Sequence, residues 1–133
     1  MSLLPRTMSG EHVELVIPAD VRYLSAARVV AASLAADAGF DLDDLDRVRV
    51  GTNELLTILI ETLDPEHRVC VTFASDHNDA GAARLRISGD VLDADDATPL
   101  TVELDELAYR ILTAVTDDYG VTASGFQLTV SAS

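Results

Sequence analysis

The sequence predicts an α+β fold, a two-layer sandwich in which three helices cover one face of an antiparallel or mixed β-sheet. Two observations predict this class. Apolar residues recur at helical spacing in three long segments, and they alternate with polar residues in four short ones. The predicted order is strand, helix, helix, strand, strand, helix, strand, without an internal repeat. Residues 1–11 are expected to form a flexible arm, and residues 12–133 a single domain.

The longest helical pattern runs from Asp41 to Leu63. Its apolar stripe recurs at three- and four-residue steps and consists of Leu45, Val48, Thr52, Leu55, Leu56, Leu59 and Leu63. The opposite side carries Arg47, Val50, Glu54, Ile58 and Glu61. Ile58 differs from its neighbours because it is a large apolar residue within a largely charged strip.

The segments before this helix predict a strand and an alanine-rich helix. Residues 12–19 alternate in the manner of a strand, and Pro18 ends the pattern because proline cannot donate to a β-ladder. Asp20 is well placed to cap a helix that runs to about residue 38. Gly39 is the expected stop of that helix, since glycine readily adopts the left-handed conformation after a last turn.

The segments after residue 63 predict two strands, 68–74 and 83–88, joined as a hairpin by the turn-rich residues 75–81. A third helix is predicted over residues 102–118, ended by Gly120. Its inner stripe is expected to contain Leu104, Leu107, Ala108, Ile111 and Val115.

The chain closes with a predicted strand over residues 126–130. A short partner strand before it, across Ser124 and Gly125, is an open alternative.

Composition restricts the partners of the chain. The formal net charge is −14, from 23 acidic and 9 basic residues, and no residue is lysine. An acidic surface without a basic stripe repels phosphate backbones, so we expect no nucleic-acid binding. No segment approaches the roughly 18 apolar residues of a membrane span, and the one cysteine favours no oxidising compartment. We therefore expect a cytoplasmic protein; either Met1 or Met8 fits its natural start.

Generic catalytic and metal motifs are missing. No GxSxG, HExxH, CxxC or GxxxxGK[ST] sequence occurs. His12, His67 and His77 are scattered among strand ends and loops, and Cys70 is expected to be an inert, packed thiol. The acidic residues 93–96 lack the glycine and the distant glutamate of a calcium loop, so we expect no metal site.

One protein family matches the predicted order of elements. Three stretches carry the resemblance: VIPADVRYLSAARVV, DLDDLDRVRVGTNELL and LAYRILTAVTDDYGVTASGFQLTVS. Together they resemble the anti-sigma-factor serine/threonine kinases, which are partner-switching members of the histidine-kinase-like (Bergerat-fold) ATPases. The resemblance covers about residues 13–131 and implies that fold. Arg28 falls where the family tends to have an arginine in its first helix.

The first family motif lies on the helix that matches residues 42–63. It consists of a glutamate, which acts as a base or positions a water or hydroxyl, and an asparagine four residues later, which holds Mg²⁺ against the nucleotide phosphates. Glu54 stands at the glutamate position, and Ile58 replaces the asparagine. Isoleucine offers no oxygen to Mg²⁺, which requires oxygen ligands at about 2.1 Å. Asn53 points roughly a quarter-turn away from Glu54 and is a poor substitute.

The second and third family motifs are also altered. Asp90 is the candidate for the aspartate that reads adenine, but the two glycines expected after it are missing. The glycine-rich lid should follow between residues 91 and 106, yet that segment contains no glycine. Its acidic residues, which would repel a triphosphate, are Asp93, Asp95, Asp96, Glu103, Asp105 and Glu106.

The resemblance therefore implies a regulatory, partner-switching protein without ATP binding or kinase activity, and so without a cofactor. Its implied partner is a sigma factor or an anti-sigma antagonist, and the family also implies a homodimer. The alternative is an active ATP-dependent serine/threonine kinase with Mg-ATP as cofactor, Glu54 as base and Asp90 at adenine. A third hypothesis keeps the fold but assigns a structural or dimerisation role. Ile58 and Val50 are expected either at an interface or beneath the segment 91–103.

Overall fold

The computed structural model describes residues 12–92 and 102–133. The predicted arm at residues 1–11 and most of the predicted lid segment lie outside the described residues. The elements in chain order are β1 (His12–Pro18), a 3₁₀ turn (Val21–Tyr23), α1 (Leu24–Asp37), α2 (Leu42–Thr62), β2 (Arg68–His77), β3 (Ala83–Val91), α3 (Glu106–Val115), β4 (Asp118–Val121) and β5 (Gly125–Ser131).

The five strands form one sheet in the order β1-β2-β3-β5-β4, and every neighbouring pair is antiparallel. The predicted α+β two-layer sandwich is confirmed, and of its two sheet alternatives the antiparallel one is found. Alternate residues of each strand face the helices, as strand geometry requires. The fully buried members of this inner face include Val71, Phe73, Leu85, Ile87, Phe126 and Leu128.

The apolar stripe of α2 forms the centre of the core. Val48, Leu55, Leu56 and Leu59 are completely buried, as the 3.6-residue period predicted. Burying a leucine side chain of this kind contributes about 1.5–3 kcal/mol to folding. The stripe therefore fixes which side of α2 faces the sheet.

The predicted cap at Asp20 lies one turn before α1. The Asp20 carboxylate accepts a hydrogen bond from the Arg22 backbone N–H at 2.9 Å and caps the 3₁₀ turn, and Asp41 caps α2 by accepting one from the Asp44 N–H at the same distance. Gly39 has a φ of 95° directly after α1, the left-handed conformation that glycine adopts without strain.

The third helix is shorter and rotated relative to the prediction. It begins at Glu106, because Asp105 caps it by accepting from the Ala108 N–H at 2.8 Å. Its buried residues are Ala108 and Leu112, whereas Leu107, predicted to face inward, is 65% exposed. The later start places the Ala108–Leu112 side of α3 against the core, and sequence periodicity alone did not detect that rotation.

The chain after α3 is a strand rather than a helix end. Thr116 has extended backbone angles, and the Asp117 N–H donates to the Thr129 carbonyl at 2.9 Å. The following residues form β4, in which Gly120 pairs with Gln127. The prediction that the helix reaches residue 118 and stops at Gly120 is therefore wrong, because pairing with β5 satisfies this backbone better than another helical turn.

The predicted hairpin is confirmed with longer strands. Residues Ser75 to His77, predicted as part of the turn, continue β2 and pair with β3. The remaining turn is organised by Asn78, whose side-chain oxygen accepts from the N–H groups of Ala80 and Ala82 at 3.0 and 2.9 Å.

Candidate functional site

The strip of α2 opposite its core stripe faces the C-terminal end of α3. A Cβ built on Gly51 would lie 3.2 Å from the Thr116 methyl carbon and 3.6 Å from a Val115 methyl carbon. Four residues earlier, Arg47 Nε donates to the Val115 carbonyl at 3.1 Å. Glu54 and Ile58 continue the same side of α2 at three- and four-residue steps, so they share this strip with Gly51.

Ile58 offers no oxygen ligand on this strip. Its side chain is apolar and half-buried, and its backbone carbonyl already accepts a hydrogen bond from the Thr62 hydroxyl at 2.8 Å. A hard cation such as Mg²⁺ requires oxygen ligands. In the family that the sequence resembles, the matching position holds the metal. Ile58 has no free oxygen atom for that role.

Glu54 lies one turn before Ile58 and is half-buried. Among the described residues, its carboxylate makes no hydrogen bond and no ion pair. A general base needs a reacting group within hydrogen-bond reach. The role of Glu54 as a base stays a prediction, as does the role of Asp90 at adenine.

Asn53 belongs to a different side of α2. Its side-chain oxygen accepts a hydrogen bond from Arg28 of α1 at 2.8 Å. The amide next to Glu54 is therefore part of the α1–α2 contact, and the Arg28 guanidinium lies against α2.

Asp90 lies on the open face of the sheet. In the register it stands opposite Cys70 on β2 and Gly125 on β5, whereas its neighbour Val91 is buried in the core on the helix side. Its carboxylate accepts a hydrogen bond from the Ser124 hydroxyl at 2.6 Å. The structure brings Glu54 and Ile58 together on one helix strip but places Asp90 on the other side of the sheet.

The sheet around Asp90 is too tightly packed for side chains at two glycines. A Cβ on Gly89 would overlap the buried Phe126 ring, and a Cβ on Gly125 would overlap the Gly89 carbonyl. Glycine is needed here for close approach of β3 and β5, which is a structural requirement unrelated to a nucleotide.

The N-terminus of α3 is already occupied by carboxylates. The Asp105 carboxylate accepts a hydrogen bond from the Ala108 N–H, and Glu106 adds a second negative charge to the first turn. An anion would otherwise be attracted by free N–H groups at this position. Before the helix, Val102 and Leu104 pack against the core.

A buried charged cluster joins α2 to the end of the chain, and sequence reasoning did not identify it. The Asp44 carboxylate, 2% exposed, accepts from the Ser133 N–H at 3.0 Å and from Arg47 at 3.1 Å. Arg47 also donates to the Ser131 carbonyl and to the Asp117 carboxylate. Asp44 lies four residues before Val48, so the helical period placed it on the buried side.

The pKa of Asp44 reflects two opposing effects. Burial alone raises the pKa of this carboxyl, because it disfavours the charged form. Hydrogen bonds from the Ser133 backbone, Arg47 and the Ser133 hydroxyl favour the charged form and outweigh burial. The net result is a pKa below the usual value of an aspartate.

The remaining candidate groups form no metal site in the described ranges. Within residues 12–92 and 102–133, no group of three or more His, Cys, Asp or Glu side chains could hold a metal ion. Cys70 faces away from its buried neighbours Val69 and Val71, and burial raises the pKa of its thiol. Over the same ranges, no helix is long and apolar enough to cross a membrane.

Among the cavities lined wholly by described residues are three with volumes of about 320, 330 and 390 Å³. The first lies at the end of α1, the second on the open face of the sheet and the third on the outer side of α3. None of these three is lined by Glu54, Ile58 or Asp90.

Comparison with known proteins identifies a shared fold. The chain matches no protein-family model and no curated protein sequence, whereas twelve chains of known structure match it. One is the crystal structure of the RsbU and RsbW domains of Rv1364c from Mycobacterium tuberculosis, which aligns over 92% of this chain with a TM-score of 0.58. The aligned residues are 12% identical, and this chain spans 32% of the length of that one. At this identity, the likeness establishes the fold alone.

Proposed function

We propose that this chain is a regulatory protein of the partner-switching kind, which binds a sigma factor or an anti-sigma antagonist in the cytoplasm without using ATP. Two likenesses support the proposal. The sequence resembles the anti-sigma-factor kinases, and the similar structure contains an RsbW domain, RsbW being an anti-sigma factor kinase.

Ile58 is the observation that carries the proposal. It occupies the family's magnesium position, on the same strip of α2 as Glu54, and neither its side chain nor its carbonyl has an oxygen free for a cation. Without the metal, the charge of the β- and γ-phosphates remains unneutralised beside an acidic protein.

Two further features support the loss of nucleotide binding. Asp105 satisfies the Ala108 N–H at the start of α3, so that amide is not free for a phosphate. Asp90 is hydrogen-bonded to Ser124 on the open face of the sheet, away from the face that α2 covers. Glu54, on a helix that covers one face of the sheet, and Asp90, on the other face, therefore do not line one common site.

The net charge supports a basic partner. A formal charge of −14 raises the rate of encounter with a positively charged protein surface and opposes association with acidic ones. Such attraction weakens with salt, because the Debye length shrinks from about 30 Å at 0.01 M to about 10 Å at 0.1 M ionic strength.

Calorimetric titration of the full chain with Mg-ATP tests the nucleotide half of the proposal. We expect no saturable heat at millimolar nucleotide. Saturable binding in the micromolar range that depends on Mg²⁺ would overturn this half.

Biolayer interferometry with purified sigma factors and anti-sigma antagonists of the source organism tests the partner half. We expect one of these proteins to bind with an affinity that 1 mM Mg-ATP leaves unchanged. The association rate should fall between about 0.05 and 0.3 M salt. If none of them binds, the partner-switching role is wrong whatever the nucleotide result.

The kinase alternative rests on Glu54, which is retained at the position of the family's base. Incubation with radiolabelled ATP and each antagonist distinguishes the two functions. The regulatory function predicts no transfer of phosphate. Transfer that is lost in Glu54→Ala, but kept in the neighbouring control Glu61→Ala, would establish the kinase instead.

A further inference from the structure

A cavity of about 320 Å³ opens between the C-terminal end of α1 and the inner face of the sheet. Its floor is formed by Phe73 and Leu85, which are each 1% exposed and belong to the core. Leu34, Val13 and Ala38 provide apolar walls. The volume lies at the small end of the range for ligand pockets, about 300–1,000 Å³, and an apolar floor is typical of them.

The cavity is lined by three polar side chains. Asp37 and Ser75 lie at its mouth and are exposed, whereas His12 is half-buried and its Nε2 lies 3.4 Å from the Glu14 carboxylate. Neither Asp37 nor Ser75 makes a hydrogen bond or an ion pair within the described residues. This contrasts with Asp20, Asp41 and Asp105, which all cap helix N-termini. The polar groups at the mouth are therefore free to contact a ligand.

Asp37 also stands where its charge is unfavourable. It is the last residue of α1, and the last turn of that helix contains no basic residue. The C-terminal end of a helix carries partial negative charge and favours cations over anions. A carboxylate at this end adds to the negative potential, so the mouth of the cavity attracts positive charge.

We propose that this cavity binds a small amphiphilic cation, an ammonium group joined to a compact aromatic or branched apolar body. The apolar body lies against Phe73, Leu85 and Leu34. The ammonium group donates to the Asp37 carboxylate and the Ser75 hydroxyl at the mouth. The site is separate from the Glu54–Ile58 strip and independent of the proposed regulatory function.

The charge of the whole chain favours the same ligand class. At −14, the protein concentrates small cations near its surface and repels anions. An anionic amphiphile with the same apolar body would meet both this general repulsion and the local charge of Asp37. Discrimination between cation and anion is therefore the distinctive property of the site.

Nuclear magnetic resonance titration of the full ¹⁵N-labelled chain with 2-phenylethylammonium tests the proposal. We expect saturable shifts of the Leu34, Asp37, Ala38 and Ser75 amides, with a Kd of about 1 mM or tighter. 2-Phenylethanol, which has the same body without the charge, should bind about tenfold more weakly. 3-Phenylpropionate should cause no shifts.

Matched variants locate the charge that the ligand recognises. Asp37→Asn should weaken binding of the ammonium probe about tenfold. Glu66→Gln removes the same charge from an exposed loop and should leave the affinity unchanged. Ser75→Phe, at an exposed strand position, should block the mouth and abolish the shifts.

Three results would overturn the proposal. They are no saturable shift with the ammonium probe, equal affinity for the ammonium and the alcohol, and equal weakening by Asp37→Asn and Glu66→Gln. The charge comparison needs only surface variants, so it stands even if Ser75→Phe fails to fold.

Discussion

Arg28 on α1 donates a hydrogen bond to the Asn53 side-chain oxygen on α2 at 2.8 Å. Asn53 lies about 140° around α2 from Ile58, since each residue advances a helix by about 100°. The only amide side chain on α2 is therefore engaged with α1, on a different side of the helix from Ile58. The contact also holds the two longest helices of the fold together.

A double-mutant cycle measures this contact. Arg28→Ala and Asn53→Ala should show a coupling free energy of about 0.5–1.5 kcal/mol in urea unfolding, because the hydrogen bond is partly buried and has a charged donor. The control cycle pairs Arg28→Ala with Glu54→Ala, next in sequence but on another side of α2. Those two changes should be additive, and coupling of similar size in both cycles would contradict the assignment.

Ile58→Asn tests whether one residue is enough to restore the nucleotide binding that we propose is absent. We expect this variant to bind no Mg-ATP in calorimetry, because the Ala108 N–H remains capped by Asp105 and Asp90 remains on the open face. Replacing a half-buried isoleucine should lower the free energy of unfolding by about 1 kcal/mol. Micromolar, magnesium-dependent binding by Ile58→Asn would show that Ile58 alone blocks the site.

Gly89→Ala should destabilise the protein by about 1–3 kcal/mol, since the added Cβ overlaps the Phe126 ring in a fully packed part of the core. Gly120→Ala is the matched control within the same sheet. There the nearest atom to the new Cβ is the flexible Gln127 side-chain nitrogen at 3.4 Å. Urea unfolding should show a much smaller loss for Gly120→Ala, and equal losses would contradict the overlap.

Asp44→Asn should lower the free energy of unfolding by about 1–3 kcal/mol at pH 7, because the donors of Ser133 and Arg47 lose a buried, charged acceptor. Asp43→Asn, at the exposed neighbouring residue, is the control. It should change the free energy of unfolding by less than about 0.5 kcal/mol.

The same variant has a pH signature. The folded pKa of Asp44 is lowered, so its contribution to stability is complete above the unfolded pKa of about 3.9 and is lost as pH falls through the lower folded pKa. The wild-type chain should therefore lose more stability than Asp44→Asn in urea unfolding as pH falls below about 4. Parallel pH profiles for the two proteins would contradict the assignment.

Local patterns predicted the parts of the fold that depend on neighbouring residues. The stripe of α2, the cap at Asp20 and the stop at Gly39 all follow from contacts within a few residues. The sequence also contains a pattern from which the face of Asp90 can be predicted. Leu85 and Ile87 alternate with polar residues in the sequence, and continuing that alternation puts Asp90 on the opposite face from them, with Arg86 and Ser88.

Only part of the candidate site could be predicted from local sequence patterns. The common side of Glu54 and Ile58 follows from their spacing on α2, whereas their distance from Asp90 in the fold depends on how helix and sheet stack. The helical period places Asp44 on the buried side of α2, but its pairing with Ser133 needed the tertiary structure, because Ser133 lies 89 residues away along the chain.

The sequence by itself determined the fold class, the extent of α2, and the position of Glu54 and Ile58 on one side of that helix. Tertiary structure decided the rotation of α3, the bounds of β4, which is the partner strand that the sequence left as an alternative, and the cavity beside Asp37. The physical reason is the range of the interactions. Helical periodicity and capping act over three or four residues. Strand pairing and helix packing join segments that lie far apart in the chain, and local sequence patterns do not show which segments will meet.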